Sequence, residues 1–107
     1  MMLITAEIQK KLEKNFADEN DKDVVLKLFG GGACTWLITQ IEPDNDTMWG
    51  LCDLGMGCAE YGTVSLSELK SARFRFGLGV ERDTSFRGGT VEHFTDLYDE
   101  RGTLAGC

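Results

Sequence analysis

No stretch of the sequence approaches ~20 apolar residues, so nothing in it reads as a membrane-spanning helix. No C-x-x-C pair occurs among the four cysteines, Cys34, Cys52, Cys58 and Cys107. The short paired spacing that zinc sites favour is therefore missing, and Cys52-x5-Cys58 is loose for that purpose. Basic side chains are few: 11 stand against 18 acidic ones, for a formal charge of −7. That balance argues against a general phosphate-binding surface, although it leaves room for a local basic patch. Internal repeats, linkers and low-complexity segments are lacking too. Residues 1–8 are too short and too polar for a signal peptide, so the expected setting is a cytoplasm with reduced thiols.

What is present is an ordinary globular composition, 42% hydrophobic and 27% charged over 107 residues. The expectation is one domain over residues 1–107, with a thin stability margin. Thr5 is a good N-cap for an opening helix, in which Ile8, Leu12 and Phe16 form one apolar stripe. An acidic loop with Asp18, Glu19, Asp21 and Asp23 follows. Val24 to Phe29 reads as a strand ended by Gly30, Gly31 and Gly32. Thr35 to Glu42 and Thr47 to Leu54 read as a hairpin about the turn Pro43-Asp44-Asn45-Asp46. Tyr61 to Val64 is a fourth strand.

Ser65-Leu66-Ser67-Glu68 has the capping-box form, which predicts a short helix to about Arg73. Val80 to Phe86 alternates as a fifth strand would. Thr90 caps a last helix with Val91, Phe94, Leu97 and Tyr98 on one face, and Gly102 suits its C-terminus. The fold class is α+β: an antiparallel sheet of about four to five strands, with N-terminal, central and C-terminal helices packed on one face or end.

Several of these segments together resemble a known family. They are Trp49-Gly50-Leu51, Glu60-Tyr61-Gly62, Ser65-Leu66-Ser67-Glu68-Leu69, Gly77-Leu78-Gly79-Val80-Glu81-Arg82-Asp83, and Phe86. The chain resembles the bacterial family called domain of unknown function 2958, and Leu3-Ile4-Thr5 and Trp36 also fit. Thr63 stands where that family more often has an aromatic residue. The resemblance implies a small intracellular accessory protein of mobile DNA, such as plasmids and phages. It implies no reaction.

Four groups of residues invite a chemical reading. Glu81 and Asp83, on one strand face about 7 Å apart, would suit a divalent cation or an acid–base pair. A nuclease would need a third carboxylate with a lysine or histidine nearby, and no motif places one. The plainer reading is an exposed strand edge, or Arg82 bridging to an acidic loop. The cysteines and His93 read as a small buried hydrophobe (Cys52), a chain-end residue (Cys107) and a surface residue (His93) rather than as metal ligands. Gly30-Gly31-Gly32 lacks the G-K-[ST] ending of a phosphate loop. Lys70, Arg73 and Arg75, with Phe74 and Phe76 between them, form the one basic patch; the plainer reading is a solvated helix end whose phenylalanines anchor it.

The acidic side chains remain. The first 60 residues carry 5 basic and 11 acidic groups, and the other 47 carry 6 and 7. An acidic face can dock on a nucleic-acid-binding surface of another protein; solubility is the plainer reading. The expectation is a non-enzymatic binding protein, an inhibitor of a host CRISPR or restriction complex. Asp18, Glu19, Asp21, Asp23, Glu42, Asp44 and Asp46 would supply charge, and Trp49 and Tyr61 the anchors. Asp96, Asp99 and Glu100 form a further acidic cluster. The alternatives are a small metal-dependent enzyme using Glu81 and Asp83, or a weak nucleic-acid binder. The favoured reading calls for no cofactor, no resident metal, no catalytic residue and no direct contact with nucleic acid or membrane.

Overall fold

The computed structural model describes residues 3–18, 23–74 and 77–104. Its elements run α1 (Ala6–Ala17), β1 (Asp23–Val24), β2 (Leu26–Gly30), β3 (Cys34–Ile41), β4 (Thr47–Asp53), β5 (Ala59–Ser65), α2 (Leu66–Ser71), β6 (Glu81–Arg82), β7 (Gly89–Thr90) and α3 (Val91–Arg101). Strands β2 to β5 form an antiparallel meander, and β6 adds beside β2 to give the order β5-β4-β3-β2-β6. The α+β class is as the sequence implies.

Local chemistry sets the element ends. Thr5, Ser65 and Thr90 each accept the backbone N–H three residues on, at 3.2, 3.2 and 3.0 Å. Gly102 ends α3 in the left-handed region at φ 73°. At α2, however, a carboxylate from a distant turn joins the cap. Asp46 accepts Ser65 Oγ and the Ser67 N–H, both at 2.8 Å; in the capping box expected from sequence, the capping carboxylate is that of Glu68. Helix α2 stops at Ser71, two residues short of expectation. Arg73 folds back so that Nη1 donates to Lys70 O and Ala72 O, at 2.9 and 2.7 Å.

Alternation along β3 divides the core. Trp36 and Ile38 join Leu12 of α1 and Leu66 and Leu69 of α2 in one cluster. Leu37, between them, joins Leu51, Val24, Leu104 and Phe94 of α3 in a second. Successive strand residues face opposite ways, so helices cover both sheet faces. The sequence reading had them on one face or end. Burial of β3 almost throughout follows from this arrangement. Phe16, at the end of the α1 stripe, is 36% exposed.

Two strand expectations are corrected. Val24 to Phe29 is not one strand: Val24 leaves the sheet to pair with Gly89 in a two-stranded ribbon, β1 with β7. Val80 to Phe86 keeps only Glu81–Arg82 as strand. After that, Asp83 turns the chain, its carboxylate accepting the Ser85 N–H at 2.9 Å. A side chain that bonds the backbone two residues on competes with the ladder and ends it.

Candidate functional site

The register between β3 and β4 slips at Thr39, between Ile38 opposite Gly50 and Gln40 opposite Trp49. This bulge turns Thr39 toward β5. Its hydroxyl donates to Trp49 O at 3.1 Å and shares a hydrogen bond of 2.7 Å with the Tyr61 hydroxyl. The carbonyl of Thr39 accepts from Asn15 of α1 at 2.8 Å. Gly50 lies beside the slip, where a Cβ would collide with the Leu37 carbonyl oxygen and Ile38 Cα. Glycine is therefore required for the strands to approach this closely.

The bulge organises an aromatic platform. Trp49 and Tyr61 stack with ring centroids 6.2 Å apart and planes 27° apart. Tyr61 pairs with Leu51 and Trp49 with Thr63, so the two rings are diagonal neighbours on one face. Glu42 accepts the Trp49 indole N–H at 2.8 Å. Both rings are thus pinned at their polar ends. Tyr61 is nevertheless 44% exposed. Helix α3 covers the part of this face around Leu37 and Leu51. The structure brings together three residues singled out in sequence, Glu42, Trp49 and Tyr61, and adds Thr39, whose bulge leaves no local sequence signal.

The neighbouring acidic turn carries structure as well as charge. Asp44 accepts the N–H groups of Asp46 and Thr47, both at 2.8 Å, and the Thr47 hydroxyl at 2.6 Å. The Thr47 hydroxyl first, then those amides, hold the Asp44 carboxyl below its ordinary pKa. The Ser67 amide, then the Ser65 and Ser67 hydroxyls, do the same for Asp46. Both remain ionised at neutral pH, Asp44 exposed and Asp46 half-buried. Asp18 caps the end of α1, and Asp23 sits on β1. Glu19 and Asp21 lie outside the described residues.

Glu81 and Asp83 do not form a free carboxylate pair. Asp83 lies 3.5 Å from the ammonium of Lys27, whose side chain is only 7% exposed. Lys27, Arg82, Asp83 and Thr84 line a pocket of about 360 Å³ with Phe29, Cys34 and Thr35. Glu81 is exposed on the short edge strand. Lys27 was not singled out in sequence, although its signal was legible: a lone cation inside the apolar run Val24 to Phe29. Among the described residues, no group of three or more His, Cys, Asp and Glu is placed to hold a metal ion.

The described cysteines, Cys34, Cys52 and Cys58, are free thiols. Burial pushes Cys52 up to about 11. Burial, then the charge of Asp53, raises Cys34. Neutral thiols are poor nucleophiles. His93 is exposed in the first turn of α3. The triple glycine receives a ring rather than a phosphate, since a Cβ on Gly30 would stand 2.6 Å from Phe74. Phe74 is thereby an anchor, as the plainer sequence reading had it. Lys70 and Arg73 line a separate cleft. Arg75, Phe76 and Cys107 lie outside the described residues.

A family model described as "Protein of unknown function (DUF2958)" matches residues 3–104. The chain belongs to this family. Every element above falls inside the matched span, including Trp49, Tyr61, Lys27 and Asp83. No curated protein and no solved structure matches the chain. Among the described residues, no helix is long and apolar enough to cross a membrane.

Proposed function

We propose that this chain is a non-enzymatic protein-binding factor that docks a basic partner surface on the Trp49–Tyr61 platform. The observation that carries the reading is the pinned, stacked pair with Tyr61 left 44% exposed. Rigid aromatics lose little entropy on binding, and they dominate interface energetics. Glu42, Asp44 and Asp46 stand beside the pair in sequence and strand register, and they add negative charge. The chain's total of −7 speeds encounter with a surface rich in Lys and Arg.

The proposed partner is a nucleic-acid-binding defence complex of a host cell, of the CRISPR or restriction kind. The proposed setting is the cytoplasm of a cell carrying a plasmid or phage-like element. Support comes from the acidic charge and from the family resemblance, which associates such chains with mobile DNA. Asp83 bonds Lys27 and the Ser85 amide, which favours this reading over an acid–base pair with Glu81.

A pull-down from bacterial lysate treated with nuclease tests it, comparing the wild type with Tyr61→Ala and with Glu42→Gln. The first removes the exposed ring; the second removes a charge but keeps an acceptor for the Trp49 indole. One complex recovered with wild type, weakened by salt and lost with Tyr61→Ala at unchanged fold, is the expected result. Equal recovery with both variants removes this surface from consideration. Recovery that nuclease abolishes would favour nucleic-acid binding instead.

A further inference from the structure

A cleft of about 1030 Å³ lies between α1 and α2, away from the aromatic platform. Its apolar lining is Leu3, Ile4, Leu66 and Val80. One wall carries Lys70, one helical turn after Leu66 on α2, and Arg73, which follows just past the extended C-cap residue Ala72. Neither cation forms an ion pair with a described residue. Arg73 is fixed at the rim by Nη1, bonded to Lys70 O and Ala72 O. A guanidinium has five N–H donors, so those on its other nitrogens remain for a ligand. Gly79 permits this placement, because a Cβ there would stand 3.3 Å from Arg73 Nη1.

The facing wall is polar and internally satisfied. Gln9 donates to Glu13 at 3.3 Å and to Asn45 at 3.1 Å. Glu13 is the acidic group lining the cleft, and this hydrogen bond ties it to its own wall. Thr5 and Ala6 bring the first turn of α1, with its partial positive charge, to the lining.

We infer that this cleft binds a small amphipathic anion: an apolar body with one carboxylate or phosphate head. The head meets Lys70 and Arg73, and the body lies over Leu3, Ile4, Leu66 and Val80. The volume is at the upper end for a ligand pocket, and the lining sets an apolar floor beside convergent polar groups. The net charge of −7 disfavours a long polyanion, and two cations suffice for one head group. Stacking on Phe74 is unavailable because that ring packs on Gly30 and Gly31.

The test uses the full chain and the fluorescent probe 8-anilinonaphthalene-1-sulfonate, itself an apolar anion. Saturable probe binding is expected, with displacement by octanoate or octyl phosphate. Octanol, of the same length but neutral, should be roughly tenfold weaker or worse, the value of one charge-assisted bond. The relative strength of octanoate and octyl phosphate assigns the head group. Lys70→Gln should weaken displacement about tenfold without changing the melting temperature. Arg73→Gln should add to this, and Lys70→Gln alone decides if that variant unfolds. Tyr61→Ala should leave the titration unchanged, so this site and the docking platform fail or stand separately. Absence of probe binding, octanol as effective as octanoate, or an unaltered Lys70→Gln titration would overturn the inference.

Discussion

Asp53 is 1% exposed, and it ties the end of β4 to the chain after α3. Its Oδ1 accepts the Gly55 N–H at 2.9 Å. Its Oδ2 accepts the Leu104 N–H at 2.9 Å and the Thr103 hydroxyl at 3.4 Å. The substitution Asp53→Asn would keep the shape but offer one oxygen, so an amide NH₂ would face one of those N–H groups. Two outcomes are open to the molecule. It can hold the geometry, losing a bond to a charged acceptor and leaving a buried donor unsatisfied, at about 3–4 kcal/mol. Alternatively it can release residues 103–104, losing that bond and the burial of Leu104, worth about 1.5–3 kcal/mol. Leu104 is fully buried with Val24, Leu37, Leu51 and Phe94. Either way Asp53→Asn should lose about 3–5 kcal/mol, against a total of roughly 5–15 for such a domain. Urea unfolding measures the loss. Hydrogen exchange at the Leu104 amide separates the routes, and sub-additivity with Leu104→Ala marks release. A loss under about 1 kcal/mol would refute the assignment of Asp53 as the tie.

Acid should loosen the β3–β4 turn and the start of α2 together. The carboxyl groups of Asp44 and Asp46 are held below their ordinary 3.8, so their contribution is complete above that value. It is lost as pH falls through the lower folded values. Amide shifts of Thr47 and Ser67 should follow this below pH 3.8, and a midpoint at or above 3.8 would contradict the bonding. Removing either partner of the Lys27–Asp83 pair should have unequal effects. Asp83→Asn removes the carboxylate 3.5 Å from a cation that is 7% exposed and should cost about 2–3 kcal/mol, whereas Lys27→Met should be near neutral. Equal losses in urea unfolding would refute the asymmetry. Gly50→Ala should cost several kcal/mol or prevent folding, because the added Cβ meets backbone rather than a flexible side chain. A melting temperature within a few degrees of wild type would show that β3 and β4 do not approach this closely.

What was legible in the sequence was local. Thr5, Ser65, Thr90 and Gly102 act within one helical turn of themselves, so residue type and spacing suffice. The hairpin about residues 43–46 was legible for the same reason: Pro43 begins the turn, and Asn45 takes the left-handed conformation at φ 57°. What failed depended on distant partners. Val80 to Phe86 alternates like a strand, yet β2 offers it only a short edge and Asp83 turns away. Helix placement on both faces required knowing which residues of β3 face α3. Trp49 and Tyr61 were named as separate anchors. Their contact exists because the β4–β5 register sets them diagonally, and the slip at Thr39 pins the pair. Lys27 showed as an oddity among apolar neighbours, but its partner lies 56 residues along the chain, so spacing could not find it.

The structure also changes which charges are useful for testing a docking surface. Reversing Asp44 or Asp46 would disrupt the turn and the α2 cap, so lost binding there would not isolate electrostatics. The outer face of α3 is cleaner. Glu92, Asp96, Asp99 and Glu100 are all exposed, opposite the face that buries Phe94. Asp99 and Glu100 stand in the last turn, where the helix dipole disfavours negative charge by about 0.3–1 kcal/mol each. Local stability therefore does not account for their position. Asp99→Lys with Glu100→Lys should raise stability slightly. If the acidic field guides docking, the same variant should slow association with the basic partner, most strongly at low salt. A role in solubility alone gives the stability gain without the slower association. Opposite signs in the two readouts distinguish a charge kept for a partner from a charge kept for the fold.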